Sequence, residues 1–235
     1  MAGELQDRVF LVTGGYGALG SALASVLVER GARVALLDRA PAPRLAPTPG
    51  HDGSRTLALG GVDIGVDGAV RQALAQVLQR WQRIDGLVNV AGGFAWQPVA
   101  EGGLDTWDRL YAMNLRTAVA ATQAVLPHLG PGGRIVNIAA MAALKAASGM
   151  GAYAASKAGV LRFTEALAEE LKDRGVTVNA LLPSIIDTPA NRADMPGADF
   201  ERWVTPLALS RVVAFLLSDD AADITGAGLP VVRRV

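Results

Sequence analysis

The chain has 235 residues, with 22 basic and 22 acidic side chains, no cysteine and two histidines. This excludes a disulfide scaffold, a thiolate metal site and a cysteine nucleophile. It argues against a multi-histidine metal centre and leaves no global electrostatic attraction for nucleic acid or anionic lipid. With 51% apolar residues, 5% aromatics and 27 glycines, the chain reads as a compact, alanine-rich core. Single α/β domains reach about 250 residues, and no linker or internal repeat divides the chain, so one domain over 1–235 is expected. Residues 1–10 carry Glu4 and Asp7 ahead of any apolar run, unlike a signal peptide. No apolar stretch is long enough to span a membrane, the longest candidate being broken by Lys145. A cytoplasmic, non-membrane protein is expected.

Short apolar runs alternate with longer amphipathic segments. Residues 8–13 read as a buried strand, and 18–30 as a helix closed by Gly31. Residues 33–38 form a second strand. Residues 40–56 are a loop, because Pro41, Pro43, Pro47 and Pro49 forbid helix or central strand. A strand at 57–60 is followed by a helix at 67–81, with apolar Val70, Leu74, Val77 and Leu78 on one face. Then come a strand at 87–90, a loop at 92–103, and a long helix at 106–128 capped by Asp105 or Thr106. A strand at 134–139, a helix at 151–174 stopped by Gly175, and a strand at 176–182 follow. Residues 183–206 hold Pro183, Pro189, Pro196 and Pro206 and read as a long functional loop. A helix at 207–217 and a strand at 229–232 close the chain. The strands are continuous apolar runs, as a sheet buried on both faces requires. The alternation implies a Rossmann-type, doubly wound parallel sheet of about seven strands with helices on both faces.

After the first strand comes Thr13-Gly14-Gly15-Tyr16-Gly17-Ala18-Leu19-Gly20, then a helix. A pyrophosphate approaching backbone N–H groups at a helix start needs side chains absent at the closest points. A glycine cluster alone is also an ordinary tight turn; its place between first strand and first helix favours the dinucleotide reading. Asp38 ends the second strand, 18 residues after Gly20, near the offset of a carboxylate that meets the ribose 2′-hydroxyl. A carboxylate there repels a 2′-phosphate, so NAD, as NADH, is favoured over NADPH. An exposed strand-end aspartate is the plain alternative, and the adjacent Arg39 can accommodate a phosphate.

The glycine turn, Asn89-Val90-Ala91-Gly92, Asn114, Tyr153-Ala154-Ala155-Ser156-Lys157 and Pro183-Ser184-Ile185-Ile186-Asp187-Thr188 occur in this order. Together they resemble the short-chain dehydrogenase/reductase family over essentially the whole chain. Ala18 departs from the family, which usually has glycine there. A narrower likeness, to the dihydropteridine reductase branch, rests on several further stretches. These are Gly17–Gly20, Val90-Ala91-Gly92-Gly93-Phe94, Ala142-Ala143-Leu144 and Gly149-Met150. The strongest are Asp187-Thr188-Pro189-Ala190-Asn191-Arg192, then Met195-Pro196, Ala198-Asp199-Phe200 and Trp203.

Tyr153 and Lys157 stand four apart and share a helix face. An ammonium beside a phenol favours the phenolate and is expected to lower its pKa from about 10, making Tyr153 a proton donor or acceptor. As an isolated pair they would be ordinary helix surface; the surrounding motifs make the difference. The resemblance implies that Lys157 also meets the nicotinamide ribose and that Asn114 holds a water in a proton relay. It places Asp63 and Ile64 beside the adenine, Asn89, Ala91 and Gly92 along the nucleotide, and Pro183, Ile186 and Thr188 near the nicotinamide carboxamide. Tyr16 is a candidate to cover the cofactor edge.

The family's substrate-holding serine, about 13 residues before the tyrosine, falls on Ala140. Loss of one transition-state donor costs about 10²–10³ in rate. Three readings follow: Ser148 substitutes; the substrate is electrophilic enough to need one donor; or the protein binds cofactor without redox turnover, as a sensor or scaffold. The second agrees with the dihydropteridine reductase likeness, where alanine also stands at this place. A quinonoid dihydropterin needs protonation by Tyr153 more than carbonyl polarisation. Another carbonyl, imine or alcohol is the alternative substrate. Phe94, Trp96, Met150 and Trp203 are candidates to sandwich a flat ring, with hydrophobic packing as the alternative, above all for Trp203. His51 and His128 receive no catalytic role, and Arg233 and Arg234 read as solvated tail charges.

Helices 106–128 and 151–174 are rich in alanine, which permits close helix approach. In family members this pair forms a four-helix interface, so a homodimer or homotetramer is expected. Light scattering showing a monomer at micromolar concentration would contradict it.

Overall fold

The computed structural model describes residues 4–42, 53–66 and 68–235. His51, Asp67 and the prolines at 43, 47 and 49 therefore lie outside the described residues. The strands are β1 (Val9–Thr13), β2 (Arg33–Leu37), β3 (Thr56–Leu59), β4 (Gly86–Asn89), β5 (Arg134–Ile138), β6 (Thr177–Pro183) and β7 (Gly228–Val231). They form one parallel sheet in the order β3-β2-β1-β4-β5-β6-β7. The order reverses between β1 and β4, which opens a crevice at their carboxyl ends where α/β sheets bind ligands.

Side chains two apart share a sheet face, and the core divides accordingly. Phe10, Val12, Val34, Leu36, Val88 and Val136 point one way, against Leu23 and Leu27 of α1 (Ala18–Glu29) and Leu209 and Val213 of α7 (Pro206–Leu216). Val9, Leu11, Leu87, Ile135 and Val178 point the other way. They meet α2 (Ala69–Trp81), α4 (Thr117–Val125) and α5 (Gly151–Leu171). Each fully buried Val, Leu or Phe contributes about 1.5–3 kcal/mol. Pro230 sits in β7, an edge strand, the position a ladder tolerates for proline. Among the described residues no helix is long and apolar enough to cross a membrane.

The long helix expected over 106–128 is not continuous. It starts at Leu104 as α3 (Leu104–Tyr111), with Gly103 at the cap position and no side-chain cap, so Asp105 and Thr106 lie inside the first turn. A π-helical segment, Ala112–Arg116, then separates α3 from α4, and a 3-10 turn at Leu126–His128 ends the unit. Pro127, lacking an N–H, suits such a terminus. Residues 183–206 are more ordered than a loop. Thr188 caps the short α6 (Pro189–Asp194) by accepting the Asn191 N–H at 3.2 Å, and a 3-10 turn covers Phe200–Arg202. Gly31 and Gly175 do close their helices, at φ of +89° and +66°.

Candidate active site

The site is built first by Thr13, at the end of β1. Its hydroxyl accepts the N–H groups of both Val90 and Ala91 at 3.1 Å, lashing the exits of β1 and β4 together. The chain then turns at Gly14, where φ is +64° and a Cβ would stand 3.0 Å from Ala91 backbone atoms. Gly20 is as constrained: a Cβ there would meet the Gly14 carbonyl oxygen at 2.3 Å. Ala18 lies at the exposed start of α1, so its methyl meets no such obstacle. The cap of α1 is Gly17, without a side-chain bond, and the Ser21 N–H is the first to reach back, to Gly17 O at 2.9 Å. The amides of Ala18, Leu19 and Gly20 are thus left for an anion at a positive dipole end.

Asp38 stands beside this turn. Its carboxylate accepts the Tyr16 N–H and the Ala40 N–H, each at 3.0 Å, which fixes its orientation. Tyr16 does not extend over the crevice edge. Its ring packs against the core on the α1 side, and its hydroxyl is buried without a partner among the described residues. Burial, and secondarily the Asp38 charge, holds that phenol above its ordinary pKa. Asp63 is exposed and accepts the Gly65 N–H at 2.9 Å, whereas the Ile64 side chain is buried in the core. Asn89 is likewise turned inward: its amide donates to Asn137 Oδ1 at 2.8 Å and Thr122 Oγ1 at 3.3 Å. Any contact it makes with a nucleotide is through its backbone.

The chemical groups converge from three elements. Asn114, in the π-helical segment, accepts the Gly93 N–H at 2.8 Å and donates to Gly93 O and Ser156 Oγ, both at 3.0 Å. Its two side-chain donors are thereby committed, so the side chain can hold a water only as an acceptor. Ser156 in turn donates to the Tyr153 carbonyl at 2.7 Å, tying the π segment to the helical turn that carries Tyr153 and Lys157. Lys157 is buried and donates to Ile138 O at 2.8 Å. At Gly92, a Cβ would stand 2.6 Å from Asn114 Oδ1 and 3.4 Å from Lys157 Nζ, so a side chain there would intrude on both.

Burial governs both ionisable groups. It pushes Tyr153 up to about 12 and Lys157 down to about 8. The expected lowering of the phenol by the ammonium is therefore corrected: desolvation outweighs it in this protein by itself. Tyr153 stays a protonated phenol at neutral pH, ready to donate, while Lys157 titrates close to the working range.

On the substrate side, Ala140 is buried just beyond β5 and offers a methyl. The Phe94 ring meets Tyr153 edge-on, centroids 4.9 Å apart. Phe94 and Trp96 are 55% and 59% exposed, so they are free walls rather than core. The Trp96 indole N–H donates to Ser148 O at 3.0 Å and Gln97 N–H to Gly149 O at 2.7 Å, fastening this wall to the segment holding Met150. Pro183 ends β6, and Ile186 and Thr188 lead into α6. Trp203 is not a wall. It is 2% exposed and packs on Phe200 at 4.8 Å. Arg233 and Arg234 are exposed, as expected of solvated charges, but both guanidinium groups also donate to carbonyls of residues 201–203. Among the described residues no acidic, histidine or cysteine cluster suits a metal. Thr13 and Ser156 were not singled out in the sequence, although Ser156 lies between Tyr153 and Lys157.

Residues 8–198 match the family described as short chain dehydrogenase. A short-chain dehydrogenase/reductase named ABA4 from Pyricularia oryzae is 33% identical over 94% of this chain and 89% of its own. A cyclopentanol dehydrogenase from a Comamonas species is 31% identical over 97% of each. A solved structure, a blue fluorescent protein from a metagenomic library in complex with NADPH, superimposes with a TM-score of 0.85. It is 32% identical and covers 98% of both chains.

A pH dependence follows from Lys157. Its pKa in the folded state, about 8, lies below the ordinary 10.5. The unfolded state binds more protons between these values, so stability rises with pH from about 8 to about 10.5, by about 3 kcal/mol. Above about pH 10 Tyr153 acts oppositely, because the folded state keeps a proton that the unfolded phenol loses. Urea denaturation at about pH 7.5 and about pH 9.5 is expected to show the wild type gaining stability relative to Lys157→Met. A difference between the two proteins that does not change with pH contradicts this.

Proposed function

Because the chain belongs to the short-chain dehydrogenase/reductase family, we propose that it is an NADH-dependent reductase of the dihydropteridine reductase type. Its substrate is a quinonoid dihydropterin or a similarly electron-poor acceptor. The observation that carries this reading is the pairing of a protonated, half-buried Tyr153 with a methyl at Ala140. The site is equipped to give a proton and lacks a hydroxyl at the usual place for polarising a ketone. A quinonoid ring regains a stable electron arrangement on reduction and does not need that second donor.

The residues fit a dinucleotide on the structure's own terms. The open amides at Ala18–Gly20 suit a pyrophosphate, and the oriented Asp38 carboxylate suits vicinal ribose hydroxyls. Asp38 also disfavours a 2′-phosphate, which supports NADH over NADPH, although one structural neighbour binds NADPH. Gly92, Lys157 and Thr188 would hold the nicotinamide end. When bound, the reduced nicotinamide supplies hydride to the acceptor. Tyr153 gives the phenolic proton to the acceptor as it gains charge. Lys157, protonated for part of its population near neutral pH, stabilises the phenolate left behind. Asn114 and Ser156 hold the Tyr153 turn in place, and Phe94 and Trp96 shield the flat ring from water. A second reading, a secondary alcohol dehydrogenase with Ser148 as substitute donor, draws on the likeness to a cyclopentanol dehydrogenase.

The test is NADH oxidation with freshly generated quinonoid dihydropterin, wild type beside Tyr153→Phe, with NADPH as control. Rapid NADH-preferring turnover is expected, falling by about 10²-fold or more in the variant. Turnover undiminished by Tyr153→Phe contradicts the mechanism. Ala140→Ser separates the two readings. It is expected to speed reduction of cyclopentanone by about tenfold or more and to leave pterin turnover within about threefold. An equal gain on both substrates contradicts the role given to Ala140.

A further inference from the structure

Residues 231–234 run from the edge strand β7 back across the far leg of the segment 183–206. Ser184 Oγ donates to Val232 O at 3.1 Å, and Ser184 N–H to Val231 O at 3.2 Å. Arg233 Nη1 donates to Trp203 O at 3.0 Å. Arg202 grips Arg234 O with Nε at 3.0 Å and Nη2 at 2.6 Å, and Arg234 Nη2 returns to Glu201 O at 3.3 Å. Arg233 adopts φ of +50°, a left-handed conformation unfavourable for a side-chain-bearing residue. Such a conformation persists where surrounding contacts impose it.

What the tail holds is itself a stack. Arg192 lies over the Phe200 ring at 4.7 Å, and Phe200 packs on the buried Trp203. Arg192 also forks onto Asp187 at 2.6 and 2.8 Å. Main-chain bonds from Asp187 N–H to Val204 O, 2.8 Å, and from Val204 N–H to Ile185 O, 3.0 Å, pair the outgoing and returning legs. Both legs are thus pinned at their base, and the return leg is pinned a second time from outside. The bonds from residues 231–234 reach Ser184 and 201–203, and among the described residues none reaches 188–199.

We propose that residues 232–234 are a clasp on the return leg 200–204, with Arg233 as its main positioning residue. The clasp holds the base of the substrate-facing segment in its working shape before any ligand arrives, and confines opening to 188–199. It therefore sets the KM for substrate and not the chemical step. This rests on the placement of the substrate beside that segment in the function proposed above.

The test compares wild type, Arg202→Ala/Arg233→Ala and Arg233→Lys. Hydrogen exchange of the ligand-free protein reads the clasp without any substrate. Peptides covering 185–187 and 203–204 are expected to exchange about tenfold faster or more in the double variant, with peptides from β1, β4 and β5 unchanged. Arg233→Lys, which keeps a cationic donor but lacks the planar guanidinium that reaches Trp203 O, should fall between. With quinonoid dihydropterin as probe, KM in the double variant is expected to rise about fivefold or more while kcat stays within about threefold. Exchange within twofold of wild type overturns the clasp, as does faster exchange with an unchanged KM. A wild-type chain that does not turn over the pterin strikes the proposed substrate instead. Exchange, and the KM for cyclopentanol with NAD, then decide the clasp.

Discussion

Two main-chain amides, of Val90 and Ala91, share the hydroxyl of Thr13 as acceptor. This small knot sits where the strand order reverses, and the rest of the site hangs from it. It brings the exit of β4 against the turn after β1 so closely that position 14 admits no side chain. The same closeness sets Gly92 against Asn114 and Lys157. A crevice with bare helix amides on one wall and a phenol–ammonium pair on the other results from pairing β1 with β4 rather than from any loop. Tyr153 and Lys157 stand on α5 and Asn114 on the π-helical segment, and helices hold side-chain geometry better than loops do.

The second constraint is the burial of Lys157. An ammonium in the interior is costly, and one carbonyl, of Ile138, is its hydrogen-bond partner in this structure. The site is therefore poised against stability: Lys157 favours its neutral form more than an exposed lysine would, and Tyr153 keeps its proton. A reductase is suited by a phenol that is protonated before the reaction and a cation that gains a partner when the phenolate forms. Beneath this pair, Asn89, Asn137, Thr122 and Thr164 form a buried polar chain that links β4 and β5 to α4 and α5. Neighbouring strands and helices are thus locked in register directly below the chemistry.

What could be read in the sequence was local. The glycine turn, the four-residue spacing of Tyr153 and Lys157, and the continuous apolar strands each follow from backbone geometry over a few residues, and the seven-strand parallel sheet follows from their alternation. The departures are where a distant partner decides. The helix period over 106–128 does not disclose a π segment, because that register shift serves the bond from Asn114 to Ser156 on another helix. Trp203, offered in the sequence as a ligand wall with packing as the stronger alternative, is core, and Phe200 packs on it. Arg233 and Arg234 are exposed as their sequence suggests, but the bonds they make are not legible there, because their partners are main-chain carbonyls, which carry no sequence signature. The pKa of Tyr153 departs from expectation for a related reason: the charged neighbour is visible in the sequence, and the burial that raises the pKa is not.

In the proposed function, the choice between the two dinucleotides rests on one carboxylate, that of Asp38. The most direct measurement is the equilibrium dissociation constant of NADH and of NADPH by nicotinamide fluorescence, for wild type and Asp38→Ala. NADH is expected to bind at least about tenfold tighter than NADPH to the wild type, a difference of about 1.4 kcal/mol, with near-equal affinities in the variant. Equal affinities in the wild type, or no binding of either, would contradict that reading.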